Sequence, residues 1–145
     1  MENKYGELLD FLIEEQIQEF KKVSSGRKSQ IIFNNFSDYF MYQEKHSRAK
    51  TKDKKDSFAV SMDRCWILAN KQLKTLNNDE MKHYLLFVKN KLQSSINSKN
   101  KDLLKNKLMF MSLLRQLPPI NDEENMEIVN NIKSCIENID KDYEK

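Results

Sequence analysis

The chain has 145 residues, 39% apolar and 32% charged, with a formal net charge of +3; this is the size of one domain, able to bury a core without disulfides or metals. Two glycines and two prolines are too few for the tight turns of a sandwich or barrel, so an all-α chain is expected. No apolar run approaches the roughly 20 residues that span a bilayer, and Met1–Glu7 lacks the basic and apolar regions of a signal segment; a soluble, intracellular protein without membrane association is the expectation.

The first predicted helix covers residues 5–23, where Leu8, Leu9, Leu12, Ile13, Ile17 and Phe20 recur at the three-and-four spacing that lines one helical face. Ser24-Ser25-Gly26 is read as its end. Ile31, Ile32, Phe33, Phe36, Tyr39 and Phe40 crowd the next segment. A strand over Gln30–Asn34 is conceivable there, but the apolar set runs on without alternation and no second strand offers itself for pairing, which favours a helix. Residues 44–56, Glu-Lys-His-Ser-Arg-Ala-Lys-Thr-Lys-Asp-Lys-Lys-Asp, contain no large apolar anchor and read as an exposed basic loop or a frayed helix end.

Asp56 or Ser57 is the expected cap of a third helix with Phe58, Met62, Cys65, Trp66, Ala69, Leu73 and Leu76 on one side. Asn77-Asn78-Asp79 breaks it and opens a fourth, whose stripe is Met81, Tyr84, Leu85, Val88, Leu92 and Ile96. After the polar stretch 94–101, a fifth helix from Asp102 carries Leu103, Leu104, Leu108, Met111, Leu114 and Leu117 and stops at Pro118-Pro119. Asn121 or Asp122 caps a sixth, with Met126, Val129, Ile132, Cys135, Ile136 and Ile139 as its buried edge and acids in its first turn to suit the helix dipole. The expected fold is an all-α, single-domain bundle of about six helices arranged as helical hairpins: an amino-terminal pair over 1–43, the basic loop 44–56, a second hairpin over 57–97 and a third over 102–139.

Charge is unevenly distributed. Residues 1–20 hold one base against six acids and residues 121–145 three against eight, which leaves 21 bases against eight acids in the middle. A positive field of this kind attracts polyanions, and it also keeps a lysine-rich chain in solution. The densest basic run is Lys45, Arg48, Lys50, Lys52, Lys54 and Lys55, with Tyr39, Tyr42 and His46 just upstream. Those bases could contact phosphates while a tyrosine stacks; a nuclear-localisation signal within Lys50–Lys55 and a merely solvated loop fit the same residues. A second basic group is Lys89, Lys91, Lys99, Lys101, Lys105 and Lys107.

Residues 66–96 and 108–139 share a plan, an apolar helix ending in Leu73-x-x-Leu76 or Leu114-x-x-Leu117, a polar break, and a second amphipathic helix. Asp63, Trp66-Ile67-Leu68-Ala69, Leu73-Lys74-Thr75-Leu76, and then Leu86, Val88 and Leu92 make residues 63–92 similar to the BESS motif, a short helical interaction module of insect chromatin and transcription regulators. That resemblance implies self-association or binding to other regulators, and a nuclear location; without it the cytoplasm is expected. Trp66, Phe58 and Met109-Phe110-Met111 make a second candidate surface, because adaptable methionine and aromatic side chains suit helix-in-groove recognition as well as core packing; with Phe110 set off the main stripe of its helix, the candidate apolar partner interface is Trp66, Leu73, Leu76 and Phe110.

No reaction chemistry emerges. Glu80-x-x-His83 has the spacing of one arm of a di-iron bundle site, but the only other histidine, His46, follows Gln43 rather than a glutamate. Cys65 and Cys135 sit alone on apolar stripes, without disulfide or zinc spacing. Glu14 and Glu15 diverge by about 100° on a helix and cannot flank one bond. No catalytic, metal or cofactor site is therefore assigned. The expected function is a non-enzymatic interaction or adaptor protein with a protein partner or a second copy of itself. A nucleic-acid-binding regulator using the basic middle, and a small inhibitor of a host or phage enzyme, are the alternatives.

Overall fold

No glycine or proline lies between Gly26 and Pro118, so within that stretch only capping side chains can interrupt a helix. The computed structural model describes residues 3–97 and 103–143, with side chains over 6–97 and 106–139, and contains six helices and no strand among the described residues. They are α1 (Asn3–Lys21), α2 (Ser25–Arg48), α3 (Lys52–Lys74), α4 (Asn78–Asn97), α5 (Leu103–Arg115) and α6 (Glu123–Tyr143). Asp102, the expected start of α5, lies outside the described residues.

Four of the breaks carry a cap among the described residues. The Ser24 hydroxyl accepts from the Arg27 amide at 3.4 Å, which puts Ser25 and Gly26 inside the first turn of α2 rather than in a turn that closes α1. Thr51 Oγ1 accepts from the Lys54 amide at 3.3 Å and starts α3 five residues before the expected Asp56. At α4, Asn77 Oδ1 accepts from the Glu80 amide at 2.8 Å while the Glu80 carboxylate accepts from the Asn77 amide at 3.0 Å, a reciprocal capping box. Asp122 Oδ2 accepts from the Asn125 amide at 3.1 Å and opens α6. The expected basic loop 44–56 is therefore almost wholly helical, with only residues 49–51 between α2 and α3. Lysine, arginine and glutamate are good helix formers, and nothing in this stretch removes a backbone donor.

The chain divides into two compact units, Met1–Thr75 and Leu76–Lys145. In the first, α2 and α3 form an antiparallel pair. Asn35 Nδ2 donates to Gln72 Oε1 at 2.8 Å, satisfying a glutamine that is fully enclosed. Further along, the Trp66 ring lies 5.7 Å from Phe36 and 4.7 Å from Tyr39, and Tyr42 lies 6.3 Å from Phe58. Each such aromatic pair adds about 0.5–1.5 kcal/mol beyond the area it buries. α1 runs parallel to α3: Ile13 and Ile17 pack with Leu68, flanked by Leu9 and Ile67, and Glu14 comes within 4.0 Å of Lys71. The Lys28 ammonium covers the Phe20 ring at 5.7 Å and closes the end beside the α1–α2 turn.

In the second unit α4 and α6 are the main pair and run parallel, because their first turns are tied together. Asn125 Nδ2 donates to the Asn78 carbonyl at 3.0 Å, and Lys82 meets Glu124 at 3.0 Å. α5 returns the chain between them and packs on both. Met81, Tyr84, Leu85, Val88 and Leu92 face Ile128, Val129, Ile132, Ile136 and Ile139 in a buried layer completed by Phe110 and Leu113. The principal pairings are thus α2 with α3 and α4 with α6, and the expected hairpin over 57–97 straddles the division between units.

Candidate functional site

α1 has two apolar faces where the expected stripe needed one. At about 100° per residue, Leu9, Ile13, Ile17 and Phe20 share a side, and the last three are buried. Leu8, Phe11 and Leu12 occupy another, and they remain 56%, 59% and 43% exposed. A helix laid against one neighbour buries about a third of its circumference, so an apolar arc this wide cannot be covered from α3 alone. Glu15 and Glu19 continue the same second side one and two turns further on, at the 8, 12, 15, 19 spacing that keeps residues in line.

Leu8, Leu12, Glu15 and Glu19 of this second side border a groove that Phe11 does not line. Leu8, Leu9 and Leu12 line a cavity of about 160 Å³ with Val60 and Arg64 of α3. Leu12 is shared with a larger one, about 540 Å³, enclosed by Glu15, Glu19, Phe20, Val23, Ile31 and floored by Leu68 and Gln72. A third, about 250 Å³, joins it at Gln16, Asn35 and Leu68 and adds Asp38, Tyr42, Ser61, Arg64 and Cys65. Together they form one trough over α3, bounded by α1 and α2 in the two larger cavities and by α1 alone at the Leu8 end, with Phe20 and Val23 at the α1–α2 turn. Glu15 and Asp38 carry no hydrogen bond or ion pair among the described residues, and Glu19 meets only the exposed Lys22, at 3.4 Å. The smallest and the largest have mainly apolar walls, the third is lined mostly by polar side chains, Glu15, Glu19 and Asp38 supply the acids, and Arg64 is the basic group in the lining.

The basic run occupies the corner between α2 and α3. Lys45 and Arg48 end α2, Lys50 is in the connection, and Lys52, Lys54 and Lys55 fill the first turn of α3; all six are exposed. Arg48 pairs with Glu44 at 2.8 Å, and the Lys45 ammonium lies 5.8 Å from the Tyr42 ring. Tyr39 and Tyr42, expected to be free for stacking, are half-buried against Trp66 and Phe58. In the second basic group Lys89, Lys91 and Lys107 belong to α4 and α5, whereas Lys99, Lys101 and the side chain of Lys105 lie outside the described residues.

The residues singled out as an apolar partner surface go elsewhere. Leu73 and Phe110 are each 1% exposed and serve the interiors of the first and second unit. Trp66 is half-buried in the α2–α3 seam, and Leu76 is half-buried just before α4. In α5 the interior takes Phe110 and Leu113, and Leu108 of the expected stripe is 65% exposed; in α6 Met126 is 43% exposed. α5 has apolar residues nearly all round, so its phase is set by which side chain has most surface to bury, and that is the phenyl ring.

The setting of Cys65 does not prepare it as a nucleophile. Burial, and then the nearby Asp38 carboxylate, push the Cys65 thiol above its ordinary range, with Arg64 opposing weakly; a thiol held protonated is a poor nucleophile. Glu80 is committed to its capping box and His83 is exposed. No group of three or more His, Cys, Asp or Glu side chains among the described residues is placed to hold a metal ion. No helix among them is long and apolar enough to cross a membrane.

The chain matches no protein-family model, no curated protein and no solved structure. What the trough offers follows from its own lining: apolar side chains open to water at the Leu8 and Leu12 end, and carboxylates of which Glu15 and Asp38 carry no hydrogen bond or ion pair among the described residues.

Proposed function

We propose that this is a non-enzymatic interaction protein whose first unit binds a protein partner along the outer side of α1. The observation that carries this is the exposure of Leu8, Phe11 and Leu12 together on one helix, beside Val60, itself 42% exposed. At about 25 cal/mol per Å² of apolar surface removed from water, covering such side chains is a substantial driving force, and contiguous exposed apolar groups mark binding sites more often than scattered ones. The raised pKa of the Cys65 thiol, which keeps it protonated, fits binding better than nucleophilic catalysis at this site. Regulator binding of the BESS kind belongs to the same class of function, and so does inhibition of an enzyme.

A photo-crosslinking side chain placed at Phe11, and separately at Leu8, tests the reading in native cells. Macromolecular adducts should form from both positions and not from the exposed Asn130 of α6. Equal labelling at all three sites, or none, counts against a partner on α1.

A second reading has its own observation. Six exposed bases gathered at the α2–α3 corner form a patch on which a polyanion could dock without sequence preference. On this reading the chain is a nucleic-acid-binding regulator, and a salt titration decides it.

A further inference from the structure

We propose that the trough between α1 and α2 receives an amphipathic helix bearing lysine or arginine one turn beyond its apolar stripe. This rests on the protein-interaction reading of α1 and adds the chemistry of the partner.

The lining dictates that chemistry. Positions 8, 12, 15 and 19 stand in line on α1, apolar in the first two and acidic in the last two; the line is about 16 Å long at 1.5 Å per residue, or three turns. A trough of that length matches three turns of a second helix. Its oily end, Leu8, Leu12 and Val60, takes leucine-like side chains. Beyond Leu12 the large cavity still has apolar walls, Phe20, Val23, Ile31 and Leu68, but Glu15 and Glu19 sit on its lip. Asp38 lines the adjoining cavity, with Arg64 the opposing charge.

Bringing an uncharged or acidic helix into this place would cover Glu15 and Glu19 where the cavity lining holds no base, whereas Asp38 has Arg64 in its own, and desolvating an unmet carboxylate is costly. A base at the matching turn converts that cost into a charge-assisted contact, and one turn along a helix is also the separation of Glu15 from Glu19. Residues 1–20, with one base against six acids, extend the attraction beyond the contact itself and speed the encounter. A second copy of this chain is a poorer occupant through its own α1, since two such helices would oppose like charges.

The test uses the full chain and two dye-labelled synthetic helices, identical in their leucine stripe, one with lysines and the other with glutamates at the flanking turn. Fluorescence anisotropy should show the lysine peptide binding at least about tenfold tighter than its counterpart. Glu15→Lys with Glu19→Lys, both exposed and free of packing, should cancel or reverse that preference. The same reversal at the exposed Glu123 and Glu127 of α6 should leave it unchanged. A spin label on the peptide should broaden amide signals along α1 and around Ile31 and Asn35.

Equal affinity for the two peptides, binding of neither, or loss of preference on reversing Glu123 and Glu127 overturns the proposal. So does a concentration-dependent rise in mass that disappears with the Glu15 and Glu19 reversals, because the occupant is then a second copy. Crosslinks from Leu8 and Phe11 together with indifference to peptide charge would sink this inference and leave the interaction reading standing; no crosslinks would sink both.

Discussion

Tyr84 shows at the scale of one side chain how the second unit trades polarity for packing. It is 1% exposed, and its hydroxyl has no hydrogen-bond partner among the described residues. Burial alone drives the phenol far above its ordinary pKa, because the ring environment disfavours the phenolate. The sign of the linkage follows. The folded chain keeps a proton that the unfolded chain releases above about pH 10, so this group's contribution is intact below that pH and is lost as pH rises further. Tyr84→Phe removes the unsatisfied hydroxyl and keeps the ring, and should stabilise the unit by about 1 kcal/mol at neutral pH. It should also flatten the loss of stability above about pH 10. Urea titrations near neutrality and in alkali, followed by circular dichroism, check both; a destabilised variant would mean that the hydroxyl does have a bonding partner.

Helix boundaries show what could be read from residues and what could not. The break at Asn77 was legible because asparagine three residues before Glu80 carries its own capping signature. Asp122 was legible because it follows Pro118-Pro119 and precedes the acids Glu123 and Glu124. The α2–α3 break was not: Thr51 lies among six bases without an apolar neighbour to set a phase, so the whole stretch resembles solvent-loving coil. The α4 stripe was legible in full down to Leu92, since Met81, Tyr84, Leu85, Val88 and Leu92 admit one phase, whereas α5, apolar on most sides, admits two. The second face of α1 could have been suspected from Phe11, which falls outside the Leu9–Ile13–Ile17 line. Which face would stay open depended on α1 lying along α3 and leaving α2, and that is tertiary information.

Thr51 itself makes a prediction at this scale. Its hydroxyl is the one capping side chain at the start of α3, where Lys52, Lys54 and Lys55 oppose the positive end of the dipole and Asp53 alone favours it. Thr51→Ala should cost about 1 kcal/mol, and Thr51→Asp, which caps and supplies the missing negative charge, should cost nothing. Equal losses in the two variants, measured by urea unfolding, would show that the cap is idle.

Across the whole molecule, the division into units changes what the sequence's charge pattern means. Counted as one block, the middle of the chain carries 21 bases against eight acids; divided at Thr75, the first unit has 14 bases against 11 acids and the second 11 against 11. Each unit contains one of the two acidic ends, so no broad basic face follows from composition. What survives is local: the α2–α3 corner, where Lys45, Arg48, Lys50, Lys52, Lys54 and Lys55 face solvent, with Arg48 already paired to Glu44. If that corner binds nucleic acid, the number of phosphates it neutralises is bounded by those bases, and the affinity should fall with the logarithm of salt at a slope of about −4 to −5. Replacing Lys50, Lys52, Lys54 and Lys55 by glutamate should abolish retention on a polyanion matrix. The variant should stay folded, since acids in the first turn of α3 suit its dipole better than the lysines do. Salt-insensitive retention, or retention that outlasts the four replacements, would place any polyanion contact elsewhere. Absence of retention at low salt would leave the lysines as the solvated end of a helical pair, and the acidic trough as the surface through which the chain acts.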